Sequence, residues 1–186
     1  MEEKIGPVKV RVEPTDRPRL WLTTPPITSL RTLEPQACSR ALGLDITDLL
    51  GPMPQILTAG NPNLFIALRS KEAVDKASID LAGLRSLKQP GDPLFCVFVF
   101  TPTPEGAYSH MFAPEHGIVE DPATGSATGP LAAYLQQHNL APGPQFMSEQ
   151  GVKMGRRSQL YVNVREDQAI EVGGYVTPVA KAVLTY

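Results

Sequence analysis

The stretch EDPATGSATGPLAAYL, residues 120–135, places two carboxylates ahead of a proline, then a run of small hydroxyl and glycine residues, then an apolar segment. Pro122 disfavours helix at Asp121, so a helix is predicted to begin between Gly125 and Thr128. Thr124 or Ser126 serves as its cap, and Pro130 is tolerated only within the first turn. Leu131, Ala132, Ala133, Tyr134 and Leu135 are apolar nearly all round, the pattern of a helix enclosed by other structure. Gly125, Ser126 and Gly129 leave first-turn amides uncrowded by side chains, a geometry suited to carboxylate or phosphate. Thr and Ser are also ordinary capping residues. Glu120 and Asp121 read either as acids capping the helix dipole or as carboxylates of a site.

Outward from this helix, strands outnumber helices. VKVRV (8–12) and RLWLTT (19–24) flank a turn with a proline at each end and predict an opening hairpin. Residues 35–42 have helical spacing with Gly43 as a stop, and 45–50 fit a short helical turn. LTAGNPNLFIAL (57–68) reads as strand, turn and strand about Gly60, and LFCVFVF (94–100) as a strand buried on both sides. Residues 71–87 read as a helix between them. After Gln145 the chain returns to strands: QLYVNV (159–164), AIEVGG (169–174) and YVTPVAKAVLTY (175–186). Short connections favour antiparallel pairing.

Composition narrows the function classes. The 186 residues fit one domain; 17 Lys and Arg against 19 Asp and Glu give a net charge of -2 with no long run of either sign. That distribution lacks the footprint of a nucleic-acid or membrane-surface binder. Cys38 and Cys96 have no CxxC spacing, so neither a cysteine-rich zinc site nor a secreted disulfide framework is expected. The N-terminus carries no apolar signal core, and a soluble, cytoplasmic protein is expected. His110, His116 and His138 do not share a metal-binding spacing, so no metal is expected. GVKMGRR (151–157) lacks the ending of a phosphate loop and reads as a solvated basic turn, from which Arg156 could reach an acidic substrate. His110 and His116 read as polar loop residues, with a role as proton carrier as the alternative. Cys38 and Cys96 read as packing residues, and Gly60 as a turn residue.

The run MFAPEHGIVEDPATGSATGPLAAYL (111–135), followed by EQGVKMGRRSQLYV (149–162), resembles the signature of the phenazine-biosynthesis PhzF-like family, relatives of diaminopimelate epimerase. ALGLDITDLL and PQILTAGNPNLFIAL stand upstream in family order. The resemblance implies two similar domains, each an antiparallel barrel-like sheet wrapped around a central helix, with the active site where two helix N-termini face each other. Carried over by position, it makes Asp121 and Ser126 catalytic and Thr124, Gly125, Ala127 and Glu120 substrate-binding, without metal or cofactor. Related epimerases carry a cysteine in the equivalent motif; here Ala123 and Thr124 stand nearby, which disfavours thiol chemistry.

The chain departs from the family pattern in lacking the SET-like glutamate segment and the GHA-type histidine of the N-terminal domain. His110 stands where many members have arginine, and Arg157 where many have proline. The expected architecture is therefore α+β. It is a single diaminopimelate-epimerase-like domain over 1–186, resembling the C-terminal half of a PhzF-like protein, with residues 1–25 as a crossover hairpin. The expected function is proton-shuttling isomerisation of a small carboxylate-bearing substrate. Another chain carrying the missing domain, or a second copy, would complete the site, so an oligomer or hetero-oligomer is expected. The alternative is a non-catalytic anion-binding or assembly module derived from that fold.

Overall fold

The computed structural model describes residues 2–3 and 6–183. Glu2–Glu3 (β1) pairs antiparallel with Gly6–Pro7 (β2). The predicted hairpin follows as Val10–Glu13 (β3) and Arg19–Thr23 (β4), then Thr28–Thr32 (β5). Pro35–Ala41 forms α1, Ile46–Asp48 a 3-10 turn, and Gln55–Thr58 (β6) and Asn63–Ala67 (β7) the strands about Gly60. Lys71–Lys76 (α2) and Leu81–Ser86 (α3) replace the single helix predicted over 71–87. The break has a local cause: Ser70 and Asp80 each cap a new helix, accepting from the Ala73 and Gly83 amides, and Ala77 between them is extended.

Cys96–Thr103 (β8), Gly106–Ala113 (β9) and Ile118–Asp121 (β10) lead into Gly125–Gln137 (α4). Gln145–Gln150 (β11), Ser158–Val164 (β12) and Ile170–Tyr175 (β13) complete the elements. The strand expected over 175–186 is not formed in 176–183, where Pro178 has no amide for a ladder, and residues 184–186 lie outside the described residues.

The expected barrel is corrected. The main sheet is open, running β3-β4-β13-β12-β11-β9-β8-β7-β6-β5, with β10 added on β9. It is also mixed: β7 with β8, and β9 with β11, pair in parallel, each joined by a crossover rather than a turn. Strands dominate, and the sheet does not close around a helix. Its two faces carry separate cores. Leu42, Leu64, Val74, Leu84, Val97 and Val99 pack with α1, α2 and α3 on one face; Phe65, Phe98, Phe100, Met111 and Val162 pack with α4 on the other. Because β8 alternates between them, its run is apolar throughout, as expected of a strand buried on both sides.

Helix α4 begins at Gly125 as predicted, and Ala127 to Ala132, Tyr134 and Leu135 are buried. Pro130 is its sixth residue, past the first turn to which it was expected to be confined, so the Ser126 carbonyl loses its helical donor. Gly129 sets how closely α4 approaches the sheet: a Cβ there would stand 2.3 Å from Thr24 Oγ1, just beyond β4. At its far end Tyr134 meets Phe100 edge-on at 5.6 Å and donates to the Met53 carbonyl at 2.9 Å. Leu131 is wholly buried among these residues. Leu131→Ala is expected to lower unfolding stability by about 2–5 kcal/mol, measured by urea denaturation. Val119→Ala, at an 83% exposed position, is expected to change it by less than about 0.5 kcal/mol.

Candidate active site

The segment 120–125 turns from β10 into α4, and one side chain from another strand holds the turn. Gln150, fully buried at the end of β11, accepts from the Thr124 amide (3.1 Å). Its Nε2 donates to the Asp121 carbonyl (2.5 Å) and to Thr124 Oγ1 (2.9 Å). The Thr124 hydroxyl in turn donates to Asp121 Oδ2 at 2.5 Å. Thr124 is thus spent on Asp121 and Gln150, and it makes no side-chain cap to the helix. Gly151, with φ of +73°, lets the next residue press against this turn, since a Cβ there would stand 2.8 Å from the Pro122 carbonyl.

This arrangement leaves donors for something else. Among the described residues, the Gly125 and Ser126 amides have no hydrogen-bond partner, while the Ala127 amide bonds the Thr124 carbonyl at 3.2 Å. Gly125 and Ser126 are exposed, and with Ala123 they border a hollow of about 950 Å³. The β6–β7 turn supplies Gly60 and Asn61 to its rim, and Leu22, Leu160 and Val172 form an apolar wall opposite. Two free amides at the start of a buried helix, in a mostly apolar hollow, are donors of the kind that can hold a small anion.

The predicted site residues separate in space. Gly125 and Ser126 face the hollow. Asp121 is half-buried beside it, with Oδ2 taken by Thr124, and does not line it. Thr124 and Ala127 are buried beneath the turn. Glu120 lies on the opposite face of β10, where its Oε1 is 3.2 Å from His110 Nδ1. Strand alternation alone divides the acidic pair.

Gln150 was not singled out from the sequence. The signal was available in QFMSEQ (145–150), whose alternation puts Gln150 on the face of Phe146 and Ser148, where a buried amide must find partners. Gly60, read as a turn residue only, also borders the hollow.

Neither cysteine is an activated thiol. Burial pushes Cys38 up to about 12, and burial, with Asp121 and Glu115 adding to it, raises Cys96, whose sulfur lies 3.9 Å from His116 Nδ1. Among the described residues no group of three or more His, Cys, Asp or Glu is arranged to hold a metal ion, and no helix is long and apolar enough to cross a membrane.

A family model described as phenazine biosynthesis-like protein (PhzC-PhzF) matches residues 1–182. The chain belongs to this family. The match corrects the expected restriction to a C-terminal domain, because the family model takes in nearly the whole chain rather than a separate C-terminal unit.

Individual PhzF-like relatives agree. The uncharacterized isomerase YddE of Escherichia coli K12 is 35% identical over 144 residues, 73% of this chain and 48% of that protein. Trans-2,3-dihydro-3-hydroxyanthranilate isomerase of Pseudomonas aeruginosa is 34% identical over 125 residues, 64% of this chain and 43% of that protein. The chain thus spans about half the length of the curated relatives it matches. Among solved structures, a predicted epimerase from Pseudomonas aeruginosa superposes with a TM-score of 0.77 at 29% identity, covering 96% of this chain and 63% of that one. A PhzF-family protein from Bacillus anthracis, at 15% identity and a TM-score of 0.76, shares the fold over 94% of this chain and 64% of its own.

The buried Gln150 amide is the test of how the turn is held. Gln150→Ala leaves the Thr124 amide and the Asp121 carbonyl without these partners. It is expected to cost about 2–6 kcal/mol in a denaturant titration, one to three for each buried group left unpaired.

Proposed function

We propose that this PhzF-like chain contributes one wall of an isomerase site that moves a proton on a small carboxylate-bearing substrate, using neither metal nor cofactor. The observation that carries the reading is the pair of unpartnered amides at Gly125 and Ser126 facing an apolar-walled hollow. They would hold the substrate carboxylate, with the Ser126 hydroxyl as a further donor, against the positive end of the α4 dipole. Binding there withdraws electron density from the carbon next to the carboxylate and eases loss of its proton. Asp121 is the carboxylate of the same turn; it does not line the hollow of this chain alone, so its proton transfer requires the completed site. Thr124 occupies Oδ2, and Oδ1 is left to take and return a proton.

Thr124, Ala127 and Glu120 support this wall from behind rather than touching substrate. The family's relatives include isomerases named for trans-2,3-dihydro-3-hydroxyanthranilate, an unsaturated ring carboxylate that suits a hollow with one anion receptor and apolar sides. A second domain or chain would supply the remaining wall.

Anthranilate, a ring carboxylate of the same outline, is the binding probe. It is expected to shift the Gly125 and Ser126 amide resonances on titration. Turnover is read as deuterium uptake from solvent into trans-2,3-dihydro-3-hydroxyanthranilate, and Asp121→Asn is expected to lower it by about 10²–10⁴-fold. Amides that do not respond to anthranilate would overturn the receptor. Binding with no exchange by the chain, alone or in its assembled form, would favour the anion-binding module.

A further inference from the structure

Behind the site, on the opposite face of the sheet, lies a cluster of ionisable groups for which the proposed chemistry has no use. His110, on β9, is 1% exposed. Its Nδ1 is 3.2 Å from Glu120 Oε1 on β10, and its Nε2 is 3.2 Å from Asp75 Oδ1 on α2. A carboxylate thus stands at each end of one buried ring. Neither approach is a well-formed hydrogen bond, and both His110 Nε2 and Glu120 Oε1 are buried without a partner of good geometry.

The surroundings of the ring are mixed in charge. From β9, Tyr108 stands 5.7 Å away between ring centres and donates to Asp75 Oδ1 at 2.6 Å; Phe112 adds an apolar side at 6.2 Å. From the 151–157 turn, Lys153 donates to the Asp75 carbonyl and opposes a positive charge on the ring. Further out, Lys71 of α2 lies over the Tyr108 ring and pairs with Glu149 of β11, which also holds Arg157.

What makes the cluster matter is the strand it grips. β10 has four residues, a single neighbour and a register shift between Ile118 and Asp121, and Val119 on it is almost fully exposed. Its backbone ladder holds it poorly, so its placement depends on side chains. On the α4 face these are Asp121, Thr124 and Gln150; on the other face, among the described residues, the tie is Glu120 to His110.

We propose that His110 is a positioning residue for the α4 site. By bridging Glu120 and Asp75 it fixes β10 against α2, and thereby fixes Asp121 on the other face of that strand, in step with protonation of the imidazole. A neutral ring has one N–H and can donate to only one of the two carboxylates, turning a lone pair toward the other. The imidazolium donates to both. Burial holds the imidazole below its ordinary range while Glu120 and Asp75 pull it upward, so the two-sided bridge forms as pH falls and opens as pH rises.

This inference rests on the reading of Asp121 as the site carboxylate, but its test needs neither ligand nor turnover. The full chain is titrated by NMR, following the His110 ring protons, the Asp121 carboxyl carbon and the Ser126 amide. The Asp121 and Ser126 resonances are expected to carry a component with the His110 midpoint. That component is lost in His110→Gln, whereas His110→Arg, charged throughout, holds both resonances at their low-pH positions. If His110→Gln does not fold, Glu120→Gln keeps the histidine but removes the strand side of the bridge, and it must lose the component too. Asp121 and Ser126 traces in either glutamine variant that match the wild-type chain would overturn the proposal, as would a wild-type His110 transition without a counterpart at Asp121. A loss of anthranilate binding with the shared midpoint intact would count against the isomerase reading alone.

Discussion

A helix buried on every side meets solvent only through its ends, and α4 is such a helix. The apolar face of the sheet takes up its flanks, so a solute reaches it at its ends: the exposed Gln136 and Gln137 at one, the unpaired amides of its first turn at the other. Gln150 determines whether they stay reachable. By bonding the Thr124 amide and hydroxyl and the Asp121 carbonyl it holds Thr124 against the Asp121 carboxylate, to which the Thr124 hydroxyl donates instead of folding back to cap the helix. The exposed donors at Gly125 and Ser126 are therefore a product of the cap being diverted, and the diversion rests on one buried amide in β11.

The same economy explains the division of the acidic pair. Two adjacent residues in a strand point to opposite faces, so Glu120 and Asp121 serve different neighbourhoods despite their proximity in sequence. One belongs with the helix start and the other with a buried imidazole. A four-residue strand with a single neighbour becomes the link between the two sides of the sheet.

Much of this was legible in the order of residues, and the parts that were not share a cause. The α4 start, the opening hairpin and β8 are written in local signals: Pro122 as a stop, turn prolines between apolar runs, an unbroken apolar segment. β9 is not. Its eight residues GAYSHMFA are all buried because both faces of the sheet are covered, so no alternation marks it as a strand, and its serine and histidine look like loop chemistry. The open, mixed sheet was hidden for a different reason. Parallel pairing of β9 with β11 joins segments about forty residues apart through α4, and nothing in either segment names its partner. Within the site, Gly125 and Ser126 could be read from the helix start, whereas Gln150 could be found only by following the alternation of a strand whose partner was unknown.

The sheet order also bears on how the molecule comes together. β13 lies between β12 and β4, so Arg19 pairs with Tyr175 and the hairpin near one end of the sequence has no place until the segment near the other end is made. Contacts of such long sequence separation form slowly, because a large loop must close before any pairing rewards it. The wing that walls the hollow is consequently the last part able to assemble during synthesis. Until then a nascent chain would present α4 without the cover of β12 and β13, a window in which a chaperone, or a neighbouring nascent chain, competes with those strands for the same apolar surface.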